Sequence, residues 1–113
     1  MTKSIKIIDI YGNIYCYKEG TKILHREGDL PAIELFNGTK EYYINGERHR
    51  ENKPAIEYAN GDKFYYLNDK LHREDGPAIE YDNGNKEYYY HGEYMDCSTE
   101  KEFKQLIKMK AFW

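Results

Sequence analysis

Pro31, Pro54 and Pro77 stand 23 residues apart, and the same step relates Asn37-Gly38, Asn60-Gly61 and Asn83-Gly84. The pairs Tyr42-Tyr43, Tyr65-Tyr66 and Tyr88-Tyr89 keep that step as well. His-Arg-Glu triplets begin at His25, His49 and His72, the first one residue early because Leu30 reads as an insertion. A worn copy precedes them, with Gly12, Tyr17 and Gly20 each 26 positions before Gly38, Tyr43 and Gly46. Self-similarity at this period predicts an array in which each unit contacts mainly its neighbours. With 113 residues the chain is one domain with a thin core. It divides into a degenerate unit over 1–24, three units over 25–94 and a terminal segment over 95–113.

Each unit reads as a β-hairpin. "PAIEYANGDKFYYLN" sets Asn-Gly between short runs rich in Ile, Tyr and Phe, the local signature of a tight turn. Proline at a strand's first position loses no essential ladder bond, and "HRE…P" reads as the loop between units. The opening "SIKIIDIYGNIYCYK" makes one more hairpin. The expected fold is therefore mainly β: a single-layer antiparallel meander of about eight strands built from hairpin repeats, ending in one C-terminal α-helix. A two-residue turn would oppose Glu34 to Glu41 and Glu80 to Glu87. A three-residue turn with a bulged glycine instead opposes Glu34 to Lys40, Glu57 to Lys63 and Glu80 to Lys86. Opposed unlike charges stabilise by about 0.2–1 kcal/mol per pair, so the bulged turn is predicted.

The pattern changes at "CSTEKEFKQLIKMKAFW". Ser98 or Thr99 serves as N-cap, and Thr99 with Glu102 fits a capping box. Phe103, Leu106, Ile107 and Lys110 fall on one helical stripe, with acids first and lysines last as the helix dipole favours. That stripe is expected to cover part of the sheet. A helix of about 12 residues is ~18 Å long, whereas eight strands at ~4.8 Å span nearly 40 Å. One helix cannot roof the whole face, so some Tyr-rich surface stays open to solvent, a second copy or a partner.

Composition narrows the classes. Seventeen basic and 20 acidic residues give −3 overall, +2 of it offset from residues 98–113, leaving −5 for residues 1–97. That balance argues against bulk attachment to nucleic acid or anionic membrane. No run reaches the ~20 apolar residues of a membrane helix, and no signal-peptide core forms near the start. Cys16 and Cys97 sit at non-repeating positions, which suits a reducing compartment rather than a disulfide framework. The expectation is a soluble, cytoplasmic protein.

Three recurring histidines invite a metal, but copies one unit apart lie about 9.6 Å apart in a sheet, too far to share an ion that binds nitrogen at ~2 Å. No metal and no cofactor is expected. A structural role is the first reading of His-Arg-Glu, with Arg bridging the Glu of a neighbouring loop. The other is an exposed row of Arg26, Arg50 and Arg73 gripping phosphates or acidic side chains. Strand alternation sends the two members of each Tyr pair to opposite faces. One set is core, and Tyr43, Tyr66 and Tyr89 form the candidate contact or base-stacking set. No nucleophile stands in a recognisable catalytic setting, so the chain is read as non-enzymatic. Recurring residues are explained by the fold, so specificity should lie where the copies disagree. Phe36, Phe64, Tyr90 and Tyr94 are the aromatic candidates there, beside Leu30, Asn52, Lys53, Asp69, His91, Met95, Phe112 and Trp113.

The pattern "NGxxHRxxxPAIE", then "NGxxxYY", resembles the short Tyr- and Asn-Gly-rich repeats of bacteriophage and large-virus proteins, themselves distantly similar to MORN repeats. The likeness covers residues 11–94. It departs at Asn52-Lys53, where the next unit has Asp75-Gly76, and at Asp69, where Gly46 and Gly92 stand. The resemblance implies a small phage or mobile-element protein in the host cytoplasm. By analogy its partner is a host defence protein or ribonucleoprotein, inhibited by stoichiometric binding in the manner of an anti-CRISPR. The alternatives are an RNA or single-stranded DNA binder using the Tyr-rich sheet, and a viral scaffold that self-associates, with a homodimer as its simplest form.

Overall fold

The computed structural model describes residues 3–110; Phe112 and Trp113 lie outside them. The chain forms β1 (Ser4–Ile8), β2 (Ile14–Lys18), β3 (Ile33–Glu34), β4 (Lys40–Glu41), β5 (Tyr43–Ile44), β6 (Glu47–Arg48) and β7 (Ile56–Glu57). There follow β8 (Lys63–Phe64), β9 (Tyr66–Leu67), β10 (Lys70–Leu71), β11 (Ile79–Glu80), β12 (Lys86–Tyr90), β13 (Glu93–Met95) and α1 (Glu100–Lys110). Nine strands make one antiparallel sheet in the order β1-β2-β3-β4-β7-β8-β11-β12-β13, and β5-β6 and β9-β10 pair as two short hairpins. Backbone bonds tie those hairpins into the same ribbon. Arg50 N–H donates to Tyr66 C=O at 3.1 Å and Asp69 N–H to Arg48 C=O at 2.9 Å. The molecule measures 46 × 32 × 18 Å, thin as a single layer must be.

The mainly β meander with one terminal helix is what the repeat predicts. The main sheet has nine strands against about eight expected, because β13 returns once more after Tyr90. The placement of the reversals also differs from the expected one. The second reversal of each unit is a two-residue turn at Asn45-Gly46, Asn68-Asp69 and His91-Gly92, both residues at positive φ, the geometry that matches strand twist. The His-Arg-Glu segments lie outside the strands, between β2 and β3, β6 and β7, and β10 and β11, in the loops that lead into each PAIE strand, as expected.

The bulged register is present. Glu34 faces Lys40, Glu57 faces Lys63 and Glu80 faces Lys86. Lys40 also faces Glu57, and Lys63 faces Glu80, across the unit boundaries. A row of alternating charge therefore crosses the sheet. The turn that sets it is the same four times. Gly12, Gly38, Gly61 and Gly84 each donate to the carbonyl three residues back, at φ between 88° and 101°. Gly84 has nothing near its α-carbon, so an added methyl would meet only the backbone penalty of that φ.

At the last unit α1 takes over. Thr99 caps it, its hydroxyl accepting from Glu102 N–H at 3.1 Å and donating to the Glu102 carboxylate at 3.2 Å. Phe103 is fully buried and its ring lies 5.0 Å from that of Tyr88, with Met95, Leu106 and Ile107 around it. Lys110 reaches back to the Glu93 carboxylate. The helix thus closes one end of the ribbon, packed on Tyr88 and Met95. Among the described residues, no helix is long and apolar enough to cross a membrane.

Deleting the Phe103 ring leaves a cavity at the cap. Phe103→Ala should lower unfolding stability in urea by about 3–5 kcal/mol, while Phe36→Ala, at an exposed tip, should stay within about 0.5 kcal/mol.

Candidate functional site

The "PAIE" stretch explains one face residue by residue. Arg26, Arg50 and Arg73 each donate through Nη1 to a proline carbonyl, Pro31, Pro54 and Pro77, at 3.1, 3.2 and 3.1 Å. The same nitrogens reach Glu34, Glu57 and Glu80 at 3.4, 3.4 and 2.5 Å. The guanidinium of Arg50 lies 3.8 Å over the Tyr42 ring and that of Arg73 4.1 Å over Tyr65, contacts favoured by the ring quadrupole. Ala32, Ala55 and Ala78 are fully buried below, where a larger side chain would collide with the loop. In the first unit Cys16 stands where Tyr42 and Tyr65 stand. Its N–H donates to Ala32 C=O at 2.7 Å, as theirs do to Ala55 and Ala78.

These contacts correct the picture of an exposed arginine row. The three side chains are 23, 11 and 22 % exposed, and their donors are committed to the fold. The carboxylate each one holds is that of the PAIE stretch that follows it, Glu34, Glu57 or Glu80, and not a glutamate of a neighbouring loop. Arg50 in addition holds Asp29 of the preceding loop, Nε to Oδ1 at 2.7 Å, and that bond keeps the Asp29 carboxyl below the ordinary aspartate range.

Two lines of staples join successive units. His25, His49 and His72 each accept through Nδ1 from the two-residue turn of the hairpin that follows, from Asn45, Asn68 and His91 N–H at 2.9, 3.0 and 2.8 Å. At the opposite rim Asn13, Thr39 and Asp62 side chains accept from Phe36, Ala59 and Asp82 N–H at 2.7, 3.1 and 2.7 Å. The histidines are structural acceptors. Among the described residues no three His, Cys, Asp or Glu converge as a metal set would. Where the second unit has Asp69 for glycine, its carboxylate takes Arg48 Nε at 2.6 Å, so the left-handed turn keeps a compensating bond.

The opposite face is aromatic and acidic. Ile33, Glu41, Ile56, Phe64, Ile79 and Glu87 are cross-strand neighbours and share it. At the position that is glutamate on either side, the middle unit has Phe64. Tyr58 and Tyr81 meet it edge-on at 5.3 and 6.0 Å. An open groove of about 480 Å³ runs beside it, lined by Tyr58, Ala59, Phe64 and Thr39. The flanking carboxylates are held by hydroxyls. Tyr43 donates to Glu41 at 3.0 Å, and Tyr81 and Tyr89 donate to Glu87 at 2.8 and 3.3 Å. The Tyr43 hydroxyl is pushed up to about 12 by burial and then by Glu41. Tyr81 is pushed up to about 12 by its bond to Glu87. Both stay protonated donors at neutral pH.

Tyr42, Tyr65 and Tyr88 are the buried set, as alternation requires. Of the other set, Tyr43 and Tyr89 are half-buried on the aromatic face. Tyr66 corrects the candidate list: it is buried, with the Arg48 guanidinium 4.2 Å above its ring. Phe64 lies central and Tyr94 packs against Tyr89 at 5.5 Å, itself 55 % exposed. Phe36 projects at a hairpin tip, and Tyr90 packs on His72 and the helix end. Sequence reading passed over Glu41, Tyr58, Tyr81 and Glu87 because recurrence marked them as scaffold. The signal available was Phe64 itself, an aromatic replacing an acid. No family model matches the chain, and no curated protein or solved structure matches it either.

Burial moves the His72 pKa below its ordinary value, aided by stacked His91 at 4.1 Å and opposed by Glu74. The unfolded chain therefore takes up that proton first. Stability should be full above about pH 6.5 and fall as pH drops towards the folded-state value. His72→Asn, which keeps an acceptor without a titrating proton, should flatten that slope in urea melts between neutral and mildly acidic pH. Arg50→Lys should cost about 1.5–3 kcal/mol, since an ammonium cannot fork between Asp29, Glu57 and Pro54.

Proposed function

We propose that the protein is a non-enzymatic, stoichiometric binder of another protein, using the face centred on Phe64. The observation that carries this reading is the arrangement of that face: exposed Tyr58 beside half-buried Phe64 and Tyr81, flanked by two hydroxyl-held carboxylates. Tyrosine and phenylalanine supply large, rigid contact area for interfaces. The two carboxylates favour a partner that presents basic side chains around an apolar spot. Cationic protein surfaces of that kind are found on nucleic-acid-handling complexes. The resemblance to phage repeats points the same way, to a bacterial defence complex held inactive by occupation.

Direct RNA or single-stranded DNA binding loses support. Arg26, Arg50 and Arg73 are paired internally, and Lys40, Lys63 and Lys86 alternate with glutamates across the sheet. The aromatic face itself would set Glu41 and Glu87 against phosphates.

Immobilised protein should retain a bacterial ribonucleoprotein or defence subunit in one-to-one amounts after nuclease treatment. Phe64→Glu, with an unchanged far-UV spectrum, should reduce that retention by at least about tenfold, the loss of one interface anchor of ~1.4 kcal/mol or more. Retention that disappears with nuclease, or that is indifferent to the substitution, overturns the reading. Expression in a host that restricts phage by CRISPR should restore plating if the target is that system.

A further inference from the structure

The two ends of the ribbon are treated differently. The C-terminal end is closed by α1 over Tyr88 and Met95, but among the described residues nothing of that kind covers the N-terminal end. Among the described residues β1 pairs with β2 alone, over five consecutive residues with neither bulge nor proline. The bonds Glu19 N–H to Lys3 C=O and Asp9 N–H to Asn13 C=O show that odd-numbered residues face β2. By antiparallel alternation Ser4, Lys6 and Ile8 turn their N–H and C=O groups to the open edge. Exposed apolar groups gather at this end: Ile5, Ile7 and Ile8 on β1, and Ile10, Tyr11 and Phe36 at neighbouring tips, the last three 72–91 % exposed. A long, flat, apolar edge is a template for strand addition.

The residues along that edge select its occupant. In an antiparallel two-fold pairing about Lys6, Ser4 and Ile8 exchange backbone bonds, Ile5 lies opposite Ile7 twice, and Lys3 lies opposite Asp9 twice. Shifting the axis to Ile5 sets Lys3 against Ile7, and shifting it to Ile7 sets Ile5 against Asp9. Only the Lys6 axis matches apolar with apolar and charge with opposite charge. Its costs are Ser4 set opposite Ile8 and the two Lys6 side chains, which meet on the other face, where their long stems can diverge into water. We propose that β1 is a homodimer interface, joining two copies edge to edge into one continuous sheet of 18 strands, twice the nine in each main sheet. The axis stands perpendicular to the sheet, so both Phe64 faces look the same way. The dimer does not depend on the binding role given to that face.

Light scattering on the purified chain should give twice 13.5 kDa. Lys6→Pro removes only an outward N–H, which an edge strand tolerates, and should give a folded monomer. Ile5→Thr combined with Ile7→Thr should do the same and decides the matter if the proline variant does not fold. Lys6→Glu chains mixed with unaltered chains should form mixed dimers above their statistical share, because the axis sets opposite charges face to face. A single-chain mass at every concentration, a dimer that survives the edge variants, open-ended assemblies or statistical mixing would each overturn the proposal. Phe64→Glu should remain dimeric, so loss of partner capture and loss of self-association read out separately.

Discussion

The arginine that grips a proline carbonyl while lying flat on a tyrosine is the contact on which the ribbon depends. A single-layer sheet has no second sheet to bury its side chains against, and here a folded-back loop supplies the missing layer. Arg50 shows the economy of the device. One guanidinium covers Tyr42, satisfies Pro54 C=O, neutralises Glu57 and reaches Asp29 of the unit before. The fully buried alanines follow from it, since the loop can lie that close only above a methyl group.

Between units the polar staples work with this contact. Histidines hold the turns along one rim, and Asn13, Thr39 and Asp62 hold the turns along the other. Each is a modest bond of about 0.5–1.5 kcal/mol, but nearest-neighbour terms of this kind add along an array. The array has to stop somewhere. At the last unit Met95 occupies the position of the stapling histidine, and the Phe103 ring sits on Tyr88 as guanidinium groups sit on Tyr42 and Tyr65. Among the described residues nothing comparable covers β1, and that asymmetry leaves the N-terminal edge available for another strand.

On the aromatic face the repeat and its exception act together. Glu41 and Glu87 recur and are held by tyrosine hydroxyls, while Phe64 breaks the pattern between them. The result is an aromatic centre flanked by two carboxylates. It owes nothing to the arginine row, whose charge is consumed inside the scaffold.

The 23-residue period, the bulged register with its Glu–Lys pairs and the Thr99-capped helix were all legible in the sequence, because each is set by residues close together in the chain. Turn chemistry, alternation and capping act over a few residues and need no knowledge of the whole. The arginine clamp, the burial of Tyr66 beneath Arg48, the histidine staples and the company Phe64 keeps were decided only in three dimensions. Many of these contacts join residues about 20 positions apart in sequence, and periodicity alone cannot say which of several recurring side chains a loop will fold back to meet.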